Sequence, residues 1–133
     1  MTPLFADTSF FVAFLSPDDE HHETAVEYME GYSDPLLTTQ WVLAELGNFL
    51  SARPARKSFK PFVEALWEDD LVRVEEATDE WFRLGVEFYG QRPDKEWSLV
   101  DCTSFLVMRR RSIQEAPTAD HHFEQAGFKI LLK

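Results

Sequence analysis

A chain of 133 residues that is 44% hydrophobic and 28% charged can bury one core and is too apolar for a disordered segment. Its longest apolar run, Phe10–Leu15, is far shorter than the roughly 20 residues of a membrane span, and no secretion signal is visible. The net charge of −11 excludes a general nucleic-acid coat, because contacts with phosphates need cations. A single cysteine, Cys102, cannot form an internal disulfide. We therefore expect a soluble protein of the reducing cytoplasm, with no membrane partner.

Short apolar runs alternate with helical patterns along the whole chain. Helices are predicted where apolar residues recur three or four positions apart, and strands where a short apolar run lies between turn residues. In chain order the predicted elements are a strand over Leu4–Ala6, helices over Phe10–Leu15 and His22–Glu30, a strand over Pro35–Thr38, helices over Gln40–Ala52 and Ser58–Trp67, a strand over Leu71–Val74, helices over Asp79–Tyr89 and Ser98–Arg109, a strand over Glu115–Thr118, a helix over His121–Ala126 and a strand over Lys129–Leu132.

Single residues refine these elements. Thr8 and Ser9 are good N-caps for the first helix. Pro117 removes a backbone donor from the predicted fourth strand, so we expect that strand to be short or irregular. The helix over residues 40–52 has a predicted buried face formed by Val42, Leu46, Phe49 and Leu50.

Strands that alternate with helices predict a parallel sheet covered on both faces. We expect a three-layer α/β/α sandwich with a mainly parallel five-stranded sheet, formed by a single domain over residues 1–133. Ligands of such folds bind beyond the carboxyl ends of the strands. Residues that follow the predicted strands are therefore the first candidates for a functional site.

Four acidic residues, called the four acids below, stand beside apolar sequence without a matching base. Asp7 follows the first predicted strand and Asp120 follows the fourth, where ligands bind. Glu45 and Asp101 each lie on or beside the apolar face of a predicted helix. Ionised acids are seldom buried without a partner, so this placement indicates a function.

Each of the four acids also has a purely structural interpretation. Asp7 can begin a turn, and Asp120 can cap the helix that follows it. Glu45 can reach water from the rim of its apolar face. Asp101 can complete a capping box with Ser98, although Glu is the more usual acid in such a box. Both interpretations stay open for every one of the four.

If the four acids converge, their mutual repulsion is severe unless cations neutralise it. Ligation by oxygen alone suits hard ions such as Mg²⁺ or Mn²⁺ rather than zinc. Because Mg²⁺ is usually held by one or two carboxylates, four fit one shared ion or two close ions. Such a site activates water and stabilises an in-line displacement at a phosphodiester.

Four segments resemble the motifs of the PIN-domain family, and most closely its VapC-like toxin ribonucleases. They are LFADTSFF around Asp7, TQWVLAELGN around Glu45, WSLVDCTSF around Asp101 and TADHHFEQAGF around Asp120. The last segment is the most specific and the first is the least. The resemblance covers essentially the whole chain, and none of the four acids is replaced, which favours an active member of the family.

The resemblance implies a Mg²⁺- or Mn²⁺-dependent endoribonuclease that hydrolyses single-stranded RNA and forms a homodimer. It also implies the toxin of a type II toxin–antitoxin pair, inhibited by an antitoxin protein encoded next to it. The four acids are then the catalytic and metal-binding residues. Supporting residues that position the attacking water are Thr8 or Ser9, and Thr118.

An acidic chain can contact RNA only through local groups of basic residues. The group that follows the helix of Glu45 is our prediction for binding substrate, and weak non-specific affinity favours a specific or structured RNA. Two other groups, residues 109–111 and the pair Arg92 and Lys95, are alternatives, and any of these side chains can simply be solvated. The predicted substrate-binding residues are Arg53, Arg56, Lys57 and Lys60.

Three other functions are compatible with the sequence. A cellular RNA-processing enzyme shares the same domain, and a PIN-like module without catalysis shares the fold. A receiver-like phosphoacceptor domain also places acids and Mg²⁺ at strand ends, but it needs a lysine at the end of its last strand. It also needs an acid at the end of its third strand. Here the third predicted strand runs into Glu75 and Glu76, and Lys129 begins the last predicted strand instead of ending it.

Overall fold

A five-stranded parallel sheet organises the computed structural model, which describes residues 2–31 and 34–132. In chain order the elements are β1 (Leu4–Phe5), α1 (Thr8–Leu15), α2 (His22–Val26), a π-helical turn (Glu27–Gly31), β2 (Leu36–Thr39), α3 (Gln40–Leu50), a 3₁₀ turn (Pro54–Ser58), α4 (Phe59–Glu68), β3 (Val72–Glu75), α5 (Asp79–Gln91), α6 (Leu99–Arg110), β4 (Glu115–Ala116), α7 (His121–Gln125) and β5 (Lys129–Ile130). The strand order is β3-β2-β1-β4-β5, and every neighbouring pair is parallel.

Both faces of the sheet are covered. Successive residues of a strand point to opposite faces, and Leu4 and Phe5 of β1 are both buried. All four residues of β2 are buried as well. These observations confirm the predicted three-layer α/β/α sandwich with a parallel five-stranded sheet. Within the described residues, no helix combines the length and the apolar character needed to cross a bilayer.

The start of α1 differs from the prediction. Asp7, and not Thr8 or Ser9, is the N-cap, and its carboxylate accepts a hydrogen bond from the backbone N–H of Phe10 at 2.9 Å. Thr8 and Ser9 lie inside the first turn of the helix. Aspartate caps helices as well as serine does, and Asp7 occupies the extended backbone position that a cap requires. The helix therefore begins directly at the edge of the sheet.

Two other boundaries carry information. The predicted helix over His22–Glu30 is wrong in part, because α2 ends at Val26 and a π-helical turn follows. Thr24 and Val26 are β-branched, which lowers the preference of this segment for a regular α-helix. The fourth strand ends at Ala116, which confirms that Pro117 shortens it. The remaining boundaries agree with the prediction to within a few residues.

Three phenylalanine rings in contact connect the elements that carry or precede three of the four acids. Phe105 of α6 meets Phe123 of α7 edge to face, with ring centroids 4.9 Å apart. Phe123 also packs against Phe5 of β1, at a centroid distance of 6.1 Å. All three rings are at most 1% exposed. This packing fixes the end of β1 and the starts of α6 and α7 relative to one another.

Candidate active site

All four acids line one cleft of about 340 Å³. Asp7 lies just beyond β1 and Asp120 lies beyond β4, and these two strands are neighbours in the sheet. The sheet grows to one side through β2 and β3 and to the other through β4 and β5, so this is its topological switch point. Ligands of open α/β sheets bind at that point. Glu45 of α3 and Asp101 of α6 complete the acidic lining.

Asp7 is the most deeply buried of the four acids, at 6% exposure. Its carboxylate accepts hydrogen bonds from the Thr118 hydroxyl at 2.7 Å and from the Phe10 amide at 2.9 Å. Burial nevertheless raises the pKa of Asp7 to about 6, because desolvation outweighs these bonds and the charge of Asp120 adds to it. A cation in the cleft would act in the opposite direction and favour the ionised carboxylate.

Three hydroxyl groups hold the acids in place. Thr8 donates from Oγ1 to Glu45 Oε1 at 2.5 Å, which connects α1 to α3. Ser9 Oγ lies 3.0 Å from Asp7 Oδ2 and 2.8 Å from the hydroxyl of Thr118. Thr118 also accepts a hydrogen bond from the backbone N–H of Asp120 at 3.0 Å. The three predicted supporting residues therefore contact the carboxylates or their backbone directly.

The structural interpretations of Asp101 and Asp120 are also correct in geometry. Asp101 forms the capping box with Ser98 at the start of α6, and Asp120 is the N-cap of α7. Both acids still line the cleft, because capping uses only one oxygen of each. Within the described residues, the hydrogen bonds of Glu45, Asp101 and Asp120 leave one carboxylate oxygen of each without a partner. These three oxygens are able to take a cation.

His122 is a residue that the sequence interpretation missed. Its Nδ1 lies 3.1 Å from Asp101 Oδ2 and 3.6 Å from Asp120 Oδ1, so it stands between two of the four acids. Burial raises the pKa of Asp101; the backbone hydrogen bond from Ser98 and the contact with His122 oppose this, and the charge of Asp120 adds to it. Only its position two residues after Asp120 hinted at this role.

A tighter group of potential metal ligands includes Asp120 of the cleft lining. One ligand atom each from Asp120, His121 and His122 lies within 4.8 Å of the others, and this is the only such group of three in residues 2–31 and 34–132. It shares only Asp120 with the predicted set. Together with the free carboxylate oxygens, this group gives the cleft donors that could hold a divalent metal ion.

The predicted substrate-binding residues lie beside the cleft, not in it. Arg53 precedes the 3₁₀ turn, Arg56 and Lys57 lie within it, and Lys60 lies in α4. Arg56 and Lys60 line a separate groove of about 470 Å³ that also involves Gly47 and Asn48 of α3. Asp19 and Phe49 also line the acidic cleft, and the sequence had not connected either residue with it.

A parallel sheet of this strand order, with carboxylates at its switch point, is the architecture of a PIN domain. A sequence profile for the PIN domain matches residues 4–129, and the chain therefore belongs to the PIN-domain family. It is similar to the 23S rRNA-specific endonuclease VapC20 of Mycobacterium tuberculosis, with 33% identity over 125 residues, 94% of this chain and 95% of that protein. A VapC ribonuclease of Aquifex aeolicus is 27% identical over 130 residues, 94% of this chain and 93% of its own length.

Solved structures agree with the family. The crystal structure of M. tuberculosis VapC20, described as a toxin that cleaves the sarcin-ricin loop, superposes with a TM-score of 0.84 at 31% identity. That superposition covers 96% of this chain and 98% of VapC20. The FitAcB structure from Neisseria gonorrhoeae has a TM-score of 0.65 at 18% identity and covers 96% of each chain, which supports the fold alone. The predicted family resemblance is confirmed.

Proposed function

We propose that this chain is a metal-dependent endoribonuclease that hydrolyses phosphodiester bonds in RNA and acts in the cytoplasm as the toxin of a type II toxin–antitoxin pair. The names of its relatives, a 23S rRNA-specific endonuclease and a VapC ribonuclease, support the reaction class. The family assignment excludes the receiver-like alternative. The single observation that carries the proposal is the lining of one switch-point cleft by Asp7, Glu45, Asp101 and Asp120.

The four acids suit Mg²⁺, with Mn²⁺ as the alternative. Carboxylate oxygens are hard ligands, and the raised pKa of the buried Asp7 indicates a charge that a cation would stabilise. The ion, when bound, supplies positive charge and an activated water at the cleft. The neighbouring imidazoles of His121 and His122 make the choice of ion a matter for measurement, because nitrogen ligands favour transition metals.

The protein groups around the acids orient the reaction. The Thr8 hydroxyl fixes Glu45, and the Ser9 and Thr118 hydroxyls fix Asp7, so the carboxylates are held before substrate arrives. Cys102 is buried, and burial raises its pKa, so it is a poor nucleophile. Attack by water in place of the RNA 2′-hydroxyl gives products with a 5′-phosphate and a 3′-hydroxyl.

RNA reaches the acids along basic residues outside the cleft. The Arg56 and Lys60 groove adjoins α3, which carries Glu45, and it is the predicted path for the flanking phosphates. In the alternative group at the end of α6, Arg111 forms a two-bond ion pair with the buried Glu75, and Arg110 stacks on Trp81. Lys60 pairs with Glu64 at the surface, and its side chain stays 82% exposed. The sarcin-ricin loop named for VapC20 is the first structured RNA to test.

Protein partners complete the proposal. An acidic toxin suits an antitoxin with a basic segment, which could place an Arg or Lys near the four acids. A homodimer would cover apolar surface, and α5 exposes Phe82, Val86 and Tyr89, spaced by four and three residues. These residues are the first place to look for a protein contact.

The test is cleavage of a single-stranded RNA pool and of a sarcin-ricin hairpin, each with Mg²⁺ and with excess EDTA. We expect metal-dependent cleavage, 5′-phosphate ends, and a loss of about 100-fold or more in kcat for Asp7→Asn and Glu45→Gln. The matched control is Asp70→Asn, because it makes the same chemical change at an exposed acid outside the cleft.

Cleavage that persists in EDTA, or products with cyclic phosphate ends, would overturn the hydrolytic metal mechanism. Metal binding without cleavage of either RNA would favour a module without catalysis. Cleavage of cellular precursors without growth arrest on expression would favour an RNA-processing enzyme over a toxin.

A further inference from the structure

Phe49 presents an aromatic surface to the acidic cleft. The helical pattern predicts this residue in the buried face of α3, but the structure leaves it 38% exposed and in the lining of the cleft. Phe49 lies four residues after Glu45, so the two side chains share one side of the helix, about one 5.4 Å turn apart. A large ring beside catalytic carboxylates has no role in the proposed hydrolysis itself.

The Arg53 guanidinium stacks on this ring. Its guanidinium carbon lies 3.8 Å from the centroid of the Phe49 ring, and its Nη1 donates a hydrogen bond to the Phe49 carbonyl. The cation therefore covers part of the ring and restricts its motion, and the residue still lines the cleft at 38% exposure. A restrained aromatic ring loses little entropy when a flat ligand stacks on it.

A groove of opposite charge involves the same helix. The acidic cleft lies on one side of it, and the groove lined by Arg56 and Lys60 begins at the neighbouring residues of α3, Gly47 and Asn48. A nucleotide next to a phosphate held at Glu45 comes within reach of Phe49, because the two side chains are about one helical turn apart. A single strand presents unpaired bases, and every nucleobase has a flat face that stacks on aromatic side chains.

We propose that Phe49, backed by Arg53, is a stacking site for one unpaired nucleobase next to the phosphate that is cleaved. This inference rests on the proposed function and adds a base-binding subsite to the same cleft. Phe49 is a positioning residue, because it binds the substrate's base and leaves the reacting atoms to the four acids. The site requires the target nucleotide to be unpaired or pulled out of a helix.

The experiment uses an RNA oligonucleotide that the wild-type protein cleaves at one position, and a set of copies that each lack one base near that position. We expect Phe49→Ala to lower kcat/KM by about 5- to 150-fold, chiefly through KM. One abasic copy should lose a similar factor with wild type and lose almost nothing more with Phe49→Ala, because both changes remove the same contact. Phe49→Trp should retain most of the activity.

Trp67→Ala is the matched control, because Trp67 is 66% exposed on α4 and lines neither the cleft nor the basic groove. Phe49→Leu keeps apolar volume in case the alanine variant is poorly folded, and it should lose the base-dependent factor. If every abasic copy loses the same factor with wild type, with Phe49→Ala and with Phe49→Leu, the stacking site is wrong and the nuclease assignment stands. A wild-type chain that cleaves no RNA overturns both.

Discussion

At the scale of single residues, the same carboxylates serve the fold and the cleft. Asp7 and Asp120 are the N-caps of α1 and α7, Asp101 completes the capping box of α6, and all three line the cleft at the switch point of the sheet. Capping ties each carboxylate to the first turn of its helix, so the acids are positioned by the backbone and not only by rotamer preference. The like charges that result are costly to the metal-free protein, and Asp7 bears the largest burial.

The first prediction concerns the pH dependence of stability. The pKa of Asp7 is about 6 in the folded protein against 3.8 for the free group, so the folded state binds more protons between these values. Ionisation therefore destabilises the fold, and the cost grows as pH rises from about 4 to about 6, to roughly 3 kcal/mol above that range. The burial of Asp101 acts in the same direction.

Asp7→Asn removes the charge and keeps an oxygen that can accept from the Phe10 amide in place of Oδ1. The new NH₂ group replaces Oδ2, so the Thr118 hydroxyl there would have to accept a hydrogen bond instead of donating one. In EDTA at pH 7.5 we expect Asp7→Asn to raise the free energy of unfolding by about 1–3 kcal/mol over wild type, and to have little effect at pH 4. Urea unfolding at both pH values measures this difference, with Asp70→Asn as the control. A lower stability of Asp7→Asn at pH 7.5 would contradict the prediction.

Sequence reasoning reached the four acids because each stands beside apolar sequence without a base. It could not find the contact of His122 with Asp101, since the two residues are 21 positions apart and meet only through the packing of α6 and α7. It placed Phe49 in the core for a related reason. Periodicity identifies one side of α3, but only the neighbouring elements decide which part of that side they cover.

At the scale of elements, α5 and α6 pack closely because α5 has a glycine at the contact. A Cβ added at Gly85 would lie 2.5 Å from Cγ2 of the buried Thr103. Thr103 is also fixed by a hydrogen bond from its hydroxyl to the Val100 carbonyl. The position of α6, and with it Asp101, therefore depends on the absence of a side chain at residue 85.

The second prediction follows from this contact. Gly85→Ala should lower the free energy of unfolding by about 1–3 kcal/mol, because the overpacking outweighs the gain of roughly 1 kcal/mol in helix propensity. Gly90→Ala is the matched control, since a Cβ there meets nothing within 4 Å, and it should be neutral or stabilising. Thermal and urea unfolding of the two variants measure the difference.

The double variant Gly85→Ala with Thr103→Ser isolates the cause. Serine lacks the methyl group that the new Cβ would meet and keeps the hydroxyl that bonds Val100. We expect this second change to recover part of the lost stability. Equal losses in the single and double variants would mean that the clash at residue 103 is not the reason.

Most elements could be predicted from the sequence because their apolar periodicity and end signals agree. The long helices α3, α5 and α6 begin within one residue of the prediction. One error occurs where adjacent residues can each cap the same helix, as at Asp7. Another occurs where β-branched residues weaken a helix, as at Val26. Strand order could not be derived, because it depends on contacts between elements that are distant in sequence.

At the scale of the whole molecule, the charge of −11 governs encounters with partners. It repels RNA at a distance, so productive contact depends on bound cations and on the basic groove near α3. The same field would attract the basic antitoxin segment proposed above. Salt should therefore weaken antitoxin binding through the acidic surface and RNA binding through the basic groove.

The third prediction is that association with the basic antitoxin slows as salt rises. Screening at about 0.5 M NaCl should reduce the association rate constant about tenfold or more relative to about 0.05 M, because long-range attraction is lost. The dissociation rate constant should change much less. Stopped-flow mixing with the purified antitoxin measures both constants, and an association rate that does not depend on salt would contradict electrostatic capture.

The two outer strands of the sheet have a consequence for expression at high concentration. Unpaired strand edges can template the strands of other chains and so promote aggregation. Here one edge is β5, only two residues long and led by the exposed Lys129, and the other is β3, which carries the exposed Arg73. Short, charged edges are poor templates, and the repulsion between acidic surfaces adds a colloidal barrier. The fold is thus protected against edge-to-edge polymerisation, even when its carboxylates lack a counterion.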